Sequence, residues 1–487
     1  MLRKPYRKLT LMFKTLFSTA HMALISSLLI TCCPLLASEP VPWAENAIPE
    51  RLDNSELQGR LDNHVLQRLV DHGEMLFDAR FTTLDGAGRP LATQAIIPSK
   101  RKRPPRHEFS RTAGLDANAC SSCHNVPFTG GAGDFSANVF VSEGFVHSDF
   151  DSTDPQFSNE RNTNHLFGAG LVELLAREMS RDLLKQRTQA LRQARSTALD
   201  VRKNLTSKDV AFGYLIAMAD GTVDTRGVRG VDQDLVIRPF SHKGVMTSLR
   251  QFTVNALNHH HGMQADERFG PRWTGEQDHD GDQHTLEISD TDVSALVAWQ
   301  ATLPPPIQQV PHDDRWQAAA ALGKSTFSQI GCDSCHRSYL PLESLDFHDP
   351  GPLDAAGTLR QNEGYDSIYD LALRDWTAKL QRDANGHYKI PLFGDLKRHT
   401  IADQQVAALG NELLSQRFVE RNVFMTSELW GVASTAPYGH RGDMTTLTEV
   451  INAHGGQARS SRDAWQTLSA AQQSSVIAFL KTLIITQ

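Results

Sequence analysis

Four cysteines, arranged as two Cys-x-x-Cys-His motifs, limit what this 487-residue chain can become more than any other feature. The motifs span residues 120–124 and 332–336, and the other two cysteines, Cys32 and Cys33, fall within the first 37 residues. Two thiols three positions apart lie on nearly one face of a helical turn, where they can add to the two vinyl groups of a porphyrin. The histidine that follows can then ligate the iron.

Two other uses of paired cysteines fit the sequence less well. A redox dithiol would need a βαβ context, and a zinc site would need further cysteine and histidine pairs, neither of which the flanking sequence supplies. The sequence therefore predicts two covalently attached haem c groups. The predicted covalent attachments are Cys120, Cys123, Cys332 and Cys335, and the predicted proximal iron ligands are His124 and His336.

The first 37 residues have the pattern of a secretory signal peptide. A basic, acid-free start is followed by a short apolar run over residues 23–36 and a small residue, Ala37, at a plausible cleavage point. An uncleaved membrane anchor, or lipid attachment at Cys32, is the alternative. Loss of five basic residues with this segment takes the formal net charge from −7 to −12, which disfavours a nucleic-acid partner.

Helical periodicity dominates the rest of the chain. Apolar spacing predicts helices over residues 168–200, 292–303, 316–330 and 470–483, whereas strand-like alternation is scarce. Three prolines at 304–306 end one of these helices and indicate a linker between the two halves of the chain. We therefore predict a mainly α fold with two haem domains, an N-terminal one over residues 38–310 and a C-terminal one over 311–487.

Several segments resemble the bacterial di-haem cytochrome c peroxidases, and still more closely their relatives, the di-haem oxidoreductases. The matching pieces are Arg161-Asn162-Thr163, residues 391–396, the Thr-Ala-Pro-Tyr-x-His-x-Gly segment at 435–442, and residues 447–456. The resemblance covers most of residues 70–485 and implies two cytochrome c-like haem domains in the periplasm. Residues 170–300 depart from the compact peroxidases, and we expect a large helical insertion there.

The resemblance also suggests the sixth ligand of the second haem. The peroxidases place a methionine fourteen residues after the histidine of the Pro-Tyr-x-His segment, and His454 stands at that position here. A His336/His454 haem should have a lower reduction potential than a His/Met haem. Met444 is the alternative ligand.

The distal side of the first haem is less well defined by the sequence. The candidate ligands are His147, His165 and the run His259-His260-His261. His260 ranks first, because its His-His-His-Gly-Met-Gln segment resembles a stretch found in the di-haem oxidoreductases, and His147 ranks second. Glu173 is a candidate acid–base carboxylate, because peroxide cleavage requires proton movement between the two oxygens. An ordinary helix-surface role for Glu173 is the alternative.

One acidic turn has the composition of a calcium site. Asp278, Asp280 and Asp282 alternate around Gly281, and Glu287 follows five residues later. The spacing departs from a full EF-hand loop, and a solvated turn is the alternative.

Two functions remain open at this stage. The first is peroxide reduction, or reduction of a related oxidant, at the first haem, with electrons that a small donor protein (a cytochrome or cupredoxin) delivers through the second haem. The second is electron transfer by a di-haem cytochrome without catalysis. Trp273, Trp299 or Trp376 could bridge the haems. Thiol chemistry is disfavoured because no cysteine would remain free, and the related tryptophan-modifying oxidases carry tyrosine at the position of His454.

Overall fold

This computed structural model describes residues 43–88 except 54 and 56, 118–141, 158–351, 367–411 and 418–486. The signal segment, Cys32 and His147 lie outside these ranges. Packing separates Met1–Pro42 from Trp43–Gln487, and the described residues all belong to the second unit. The boundary near residue 310 stays a prediction. Within the described ranges, no helix is both long and apolar enough to cross a membrane.

The regular elements of the described residues are short apart from one long helix. The α-helices are α1 Asn63–Asp78, α2 Ala169–Thr197, α3 Leu249–Ala256, α4 Asp266–Phe269, α5 Pro271–Thr274, α6 Asp290–Thr302, α7 Asp314–Gln329, α8 Leu447–Asn452, α9 Arg459–Thr467 and α10 Ala470–Leu480. The strands are β1 Gly59–Arg60, β2 Ser136–Val141, β3 Ser158–Asn162, β4 Val201–Ser207, β5 Val210–Ala217, β6 Val223–Asp224, β7 Ile307–Gln308, β8 Leu340–Leu342, β9 Asp346–Asp349, β10 Ser367–Asp370, β11 Tyr388–Ile390, β12 Arg398–Thr400, β13 Val423–Met425 and β14 Leu483–Ile484.

The four predicted helices are present as α2, α6, α7 and α10, with ends that differ by a few residues from the prediction. In α2, Leu171, Leu175 and Met179 recur at helical spacing and are buried. Helix α6 begins at a capping box, in which the Ser289 hydroxyl accepts from the Asp292 N–H while the Asp292 carboxylate accepts from the Ser289 N–H. Local pattern and capping therefore account for these elements.

The expected helical insertion is wrong in part, because a sheet follows α2. Strands β4, β5 and β6 pair antiparallel in that order, and β4 packs against α2. Lys208 and Asp209 make the two-residue hairpin turn between β4 and β5, both with positive φ. Lys-Asp lacks the Asn-Gly signature of such turns, so local pattern did not predict the hairpin. The structure is 39% helix and 15% strand, so the predicted mainly α class is corrected to a mixed one.

Two helix pairs lie close to the two Cys-x-x-Cys-His turns. Helix α1 packs on α6 so closely that a Cβ at Gly73 would lie 2.0 Å from the Ala295 carbonyl oxygen. Helix α7 packs on α10 in the same way, with Gly323 against the Ser475 carbonyl at 1.9 Å. Glycine is required at both crossings because any side chain would force the backbones apart.

Candidate haem-binding site

Both cysteine motifs adopt the same local conformation. Each forms a single 3-10 turn, Cys120–Ser122 in one and Cys332–Ser334 in the other. The N–H of the histidine at the end of each motif donates back to the first cysteine carbonyl, at 3.1 Å for His124 and 3.0 Å for His336. This turn brings both thiols and the imidazole to one side of the backbone, as attachment of a haem edge requires.

All six predicted attachment and ligand residues line one continuous cavity. Its volume is about 1760 Å³. That exceeds the roughly 300–1,000 Å³ of a site for one drug-sized ligand. Within the described residues, its walls come from both halves of the chain, including α3, the segment 424–440 and the turn that follows α8. The cavity therefore has the size and the donor groups for two adjoining haems.

His336 and His454 have the arrangement of a pair of axial ligands. The Nδ1 of His336 lies 3.2 Å from the Phe393 carbonyl oxygen, and the Nδ1 of His454 lies 2.7 Å from that of Val450. A carbonyl can only accept, so each Nδ1 carries the proton and each neutral ring keeps its lone pair on Nε2. Burial lowers the pKa of both histidines, that of His336 to about 4, and so favours these neutral rings.

The spacing of these two rings fits one iron between them. Their centroids lie 6.5 Å apart, with the ring planes inclined by 63°. A metal that bonds two imidazole nitrogens at roughly 2.0 Å would hold the ring centroids about 6 Å apart. By contrast, Met444 packs with Ala402, Leu409 and Ala453 in a separate apolar cluster and does not line the cavity.

At the first motif, two half-buried histidines of the cavity wall, His124 and His165, lie near each other. His124 contacts Phe77, with ring centroids 5.9 Å apart, and the nearby His165 ring adds to the electrostatic environment of the site. Burial lowers the pKa of each to about 4, so both are neutral at physiological pH. The Nε2 of His165 donates to the Trp430 carbonyl at 3.2 Å. His165, one of the distal candidates from the sequence, lies only two residues after the matching segment 161–163.

The predicted distal candidate His260 also lines this cavity. It belongs to a π-helical turn, Leu257–His261, that ends at Gly262 with φ of 71°. The neighbouring His261 has its Nε2 3.6 Å from the Cys120 sulfur and its ring edge-on to Phe81. The structure thus brings the histidine run to the first motif from more than a hundred residues away in the sequence, as the prediction for His260 requires.

Glu173 does not fit the predicted acid–base role. It is fully buried in α2, where one oxygen pairs with Arg177 and the other accepts from the Leu249 N–H at 2.7 Å. Burial raises its pKa to about 7, but the carboxylate joins α2 to the first turn of α3 and does not line the cavity. Its position is therefore that of a structural group between two helices.

Glu428 and His399 line the cavity, and the sequence analysis missed both. Burial raises the pKa of Glu428 to about 7. His399 donates from Nε2 to Asp395 at 2.8 Å and lies beside Cys335. Burial alone would lower the pKa of His399, but hydrogen bonds to Asp395 and Cys335 raise it to about 9. No local spacing distinguishes such residues from surface groups, because only the fold brings them to the cavity.

Trp430 connects the two histidine sites, a position that none of the three candidate tryptophans occupies. Its carbonyl accepts from His165, and its N–H donates to the Leu392 carbonyl at 3.3 Å, next to the Phe393 carbonyl that orients His336. Its ring packs against Gly168, where a Cβ would lie 2.6 Å away.

The three candidate tryptophans lie elsewhere. Trp299 stacks on Phe77 and Trp376 donates to the Thr302 carbonyl, so both belong to the packing of the first half. Trp273 lines the cavity but is 48% exposed.

The acidic turn predicted to bind calcium is folded as a cluster. The carboxylates of Asp278, Asp280 and Asp282 lie within 4.8 Å of one another. Glu287 is buried, and burial together with these three acids raises its pKa well above its usual range. The structure thus brings the three aspartates together, with Glu287 near enough to interact with their charges.

Two motifs typical of c-type cytochromes line one cavity, and sequence comparison supports haem as the cofactor. Residues 372–483 match the family described as "Di-haem oxidoreductase, putative peroxidase". A cytochrome-c peroxidase, IdrP1 of Denitromonas iodatirespirans, is 29% identical over 211 residues, which cover 40% of this chain and 50% of the relative. These matches confirm the relationship to the di-haem peroxidase superfamily, and the chain spans about half the length of that curated relative.

Two solved structures are also similar to the chain. Hydrazine synthase of Kuenenia stuttgartiensis matches over 89% of this chain and 95% of its own, with a TM-score of 0.34 and 12% identity. A MauG-like protein associated with microbial copper homeostasis matches over 54% of this chain and 77% of its own, with a TM-score of 0.26 and 16% identity. These scores are too low to bear on function.

Proposed function

We propose that this protein is an exported di-haem c oxidoreductase that reduces peroxide, or a related small oxidant, at the first haem. Electrons would come from a small donor protein, a cytochrome or cupredoxin, and enter through the second haem. The observation that carries the proposal is the single cavity that both motifs line, because adjoining haems can exchange electrons directly.

The residues around the two motifs would suit the second site to electron entry and the first site to redox chemistry. At the second site, backbone carbonyls accept from the Nδ1 atoms of His336 and His454, which leaves the lone pair of each ring on Nε2 to ligate an iron. Two such ligands would leave no coordination position for a substrate, which suits electron entry. At the first site, Cys120, Cys123 and His124 would hold the haem whose iron supplies the redox chemistry.

The environment of the first site favours proton-coupled chemistry. Burial keeps His124 and His165 neutral, so His165 can hold its Nε2 proton towards Trp430 while its other nitrogen stays available as a base. Trp430 joins this histidine, through Leu392 and Phe393, to the carbonyl that orients His336. We propose this backbone connection, with the indole ring, as the route that couples the two sites.

One observation favours non-catalytic electron transfer as the second candidate function. The turn that carries His260 lines the same cavity as His124 and would offer an imidazole as a sixth ligand to the first haem. Two six-coordinate haems would transfer electrons without a position for peroxide.

Electron paramagnetic resonance of the oxidised and the half-reduced protein separates these functions. A high-spin ferric signal that peroxide removes, together with peroxide consumption by the reduced protein, is the expected result. Two low-spin signals that survive half-reduction and ignore peroxide would overturn the peroxidase proposal. His260→Ala tests the alternative, because a high-spin signal that appears only in this variant would show that His260 caps the first haem.

A further inference from the structure

The acidic turn between α5 and α6 contains more buried negative charge than the chain around it can stabilise. Asp280 is fully buried, and among the described residues neither of its carboxylate oxygens has a partner with hydrogen-bonding geometry. An ionised carboxylate removed from water without a partner costs several kcal/mol or more, so buried carboxylates are normally paired or bound to a metal. Its two nearest carboxylates, those of Asp278 and Asp282, increase the cost.

The carboxylates converge on one point. Those of Asp278, Asp280 and Asp282 lie within 4.8 Å of one another, close enough to share one cation. Like charges at this distance cannot all be ionised unless a cation compensates them.

Glu287, the fourth acidic residue of this region, is buried and held in place by its neighbours. It is 4% exposed, and its Oε2 accepts from the Gln264 N–H at 2.7 Å. A Cβ at Gly86 would lie 2.3 Å from the Glu287 Cγ, so the side chain is held between two segments. Since Gln264 follows the histidine-bearing turn by three residues, a cation here would anchor one end of that turn.

We propose that Asp278, Asp280, Asp282 and Glu287 bind one calcium ion. The ligands are all hard oxygen donors, three of them at alternate positions of a short turn and the fourth five residues later, and the larger, flexible coordination sphere of calcium suits them better than the strict octahedron of magnesium. The proposal goes beyond the redox function and does not depend on it.

Calorimetry on the full-length haem-loaded protein, after chelation and desalting, tests the site. Wild type should bind one calcium ion per chain and prefer it to magnesium. Asp280→Asn should weaken calcium binding at least about tenfold, because it removes one charged ligand. Asp383→Asn is the control, since Asp383 is an aspartate of another turn, where it accepts from the Asn385 and His387 N–H groups outside the cluster, and this variant should bind calcium like wild type.

Thermal unfolding gives a second readout that does not use activity. Calcium should raise the melting temperature of wild type progressively with concentration, as for any ligand of the folded state. In chelator, Asp280→Asn should melt above wild type because a buried charge is gone. Three results would each overturn the proposal. They are the absence of both a heat of calcium binding and a melting shift in wild type, an equal affinity of wild type for magnesium, and an equal weakening of calcium binding by Asp383→Asn. The wild-type results decide the proposal even where the Asp280→Asn variant does not fold.

Discussion

Replacement of His454 is the most informative perturbation of the haem sites. The Nδ1 of His454 is fixed on the Val450 carbonyl at 2.7 Å, and its ring lies 6.5 Å from that of His336. His454→Ala removes the imidazole that lies beside His336 at this spacing. The hydrogen bond lost with it contributes about 1 kcal/mol, so the variant should still fold.

The expected result is a change of spin state at one haem only. In His454→Ala, the low-spin ferric signal of the second haem should be replaced by a high-spin signal, and added imidazole should restore it. His454→Met should keep the haem low-spin and raise its potential by on the order of 0.1–0.2 V, a fraction of the ~0.8 V that axial ligands span.

Met444→Leu serves as the matched control, because Met444 packs in a separate apolar cluster. It should change neither the spin state nor the potential. If His454→Ala retained the wild-type low-spin signal, or if Met444→Leu abolished it, the assignment of His454 as the sixth ligand would be wrong.

Three further predictions address attachment, electrostatics and packing. Replacing both Cys120 and Cys123 by alanine should reduce the covalent haem content from two to one per chain by mass spectrometry, and a content of two would contradict the assignment. Glu428 has its pKa raised by burial from 4.5 to about 7, so its ionisation should lower the potential of the second haem by at most about 59 mV per pH unit near pH 7, and Glu428→Gln should abolish that slope. Gly73→Ala should lower the free energy of unfolding despite a helix-propensity gain of about 1 kcal/mol, because the new Cβ would lie 2.0 Å from the Ala295 carbonyl oxygen, and an unchanged denaturation midpoint would refute that close approach.

The ionisation of Glu428 also affects stability, with a defined sign. Its pKa is higher in the folded protein than in the unfolded chain, so the folded state holds the proton more tightly. The folded state should therefore lose stability as the pH rises from about 4.5 to about 7, and this loss should be absent in Glu428→Gln. Denaturation midpoints of both proteins across this range would measure it.

The sequence alone determined the features that depend on near neighbours in the chain. The spacing of Cys120, Cys123 and His124 predicted a covalent haem site because the chemistry of attachment is confined to one turn. Helical periodicity predicted α2, α6, α7 and α10, since one buried face repeats along each helix. The position of His454 came from a resemblance that the sequence matches later confirmed.

The tertiary structure decided which distant groups share the cavity. Glu428 and Trp430 have no local signature, and they reach the site only because segments far apart in the chain pack together. Packing also explains why Glu173 is not at the cavity, since its carboxylate is paired with Arg177 and with the start of α3. Burial, proximity and the pKa shifts that follow from them are properties of the packed chain, and a one-dimensional pattern does not contain them.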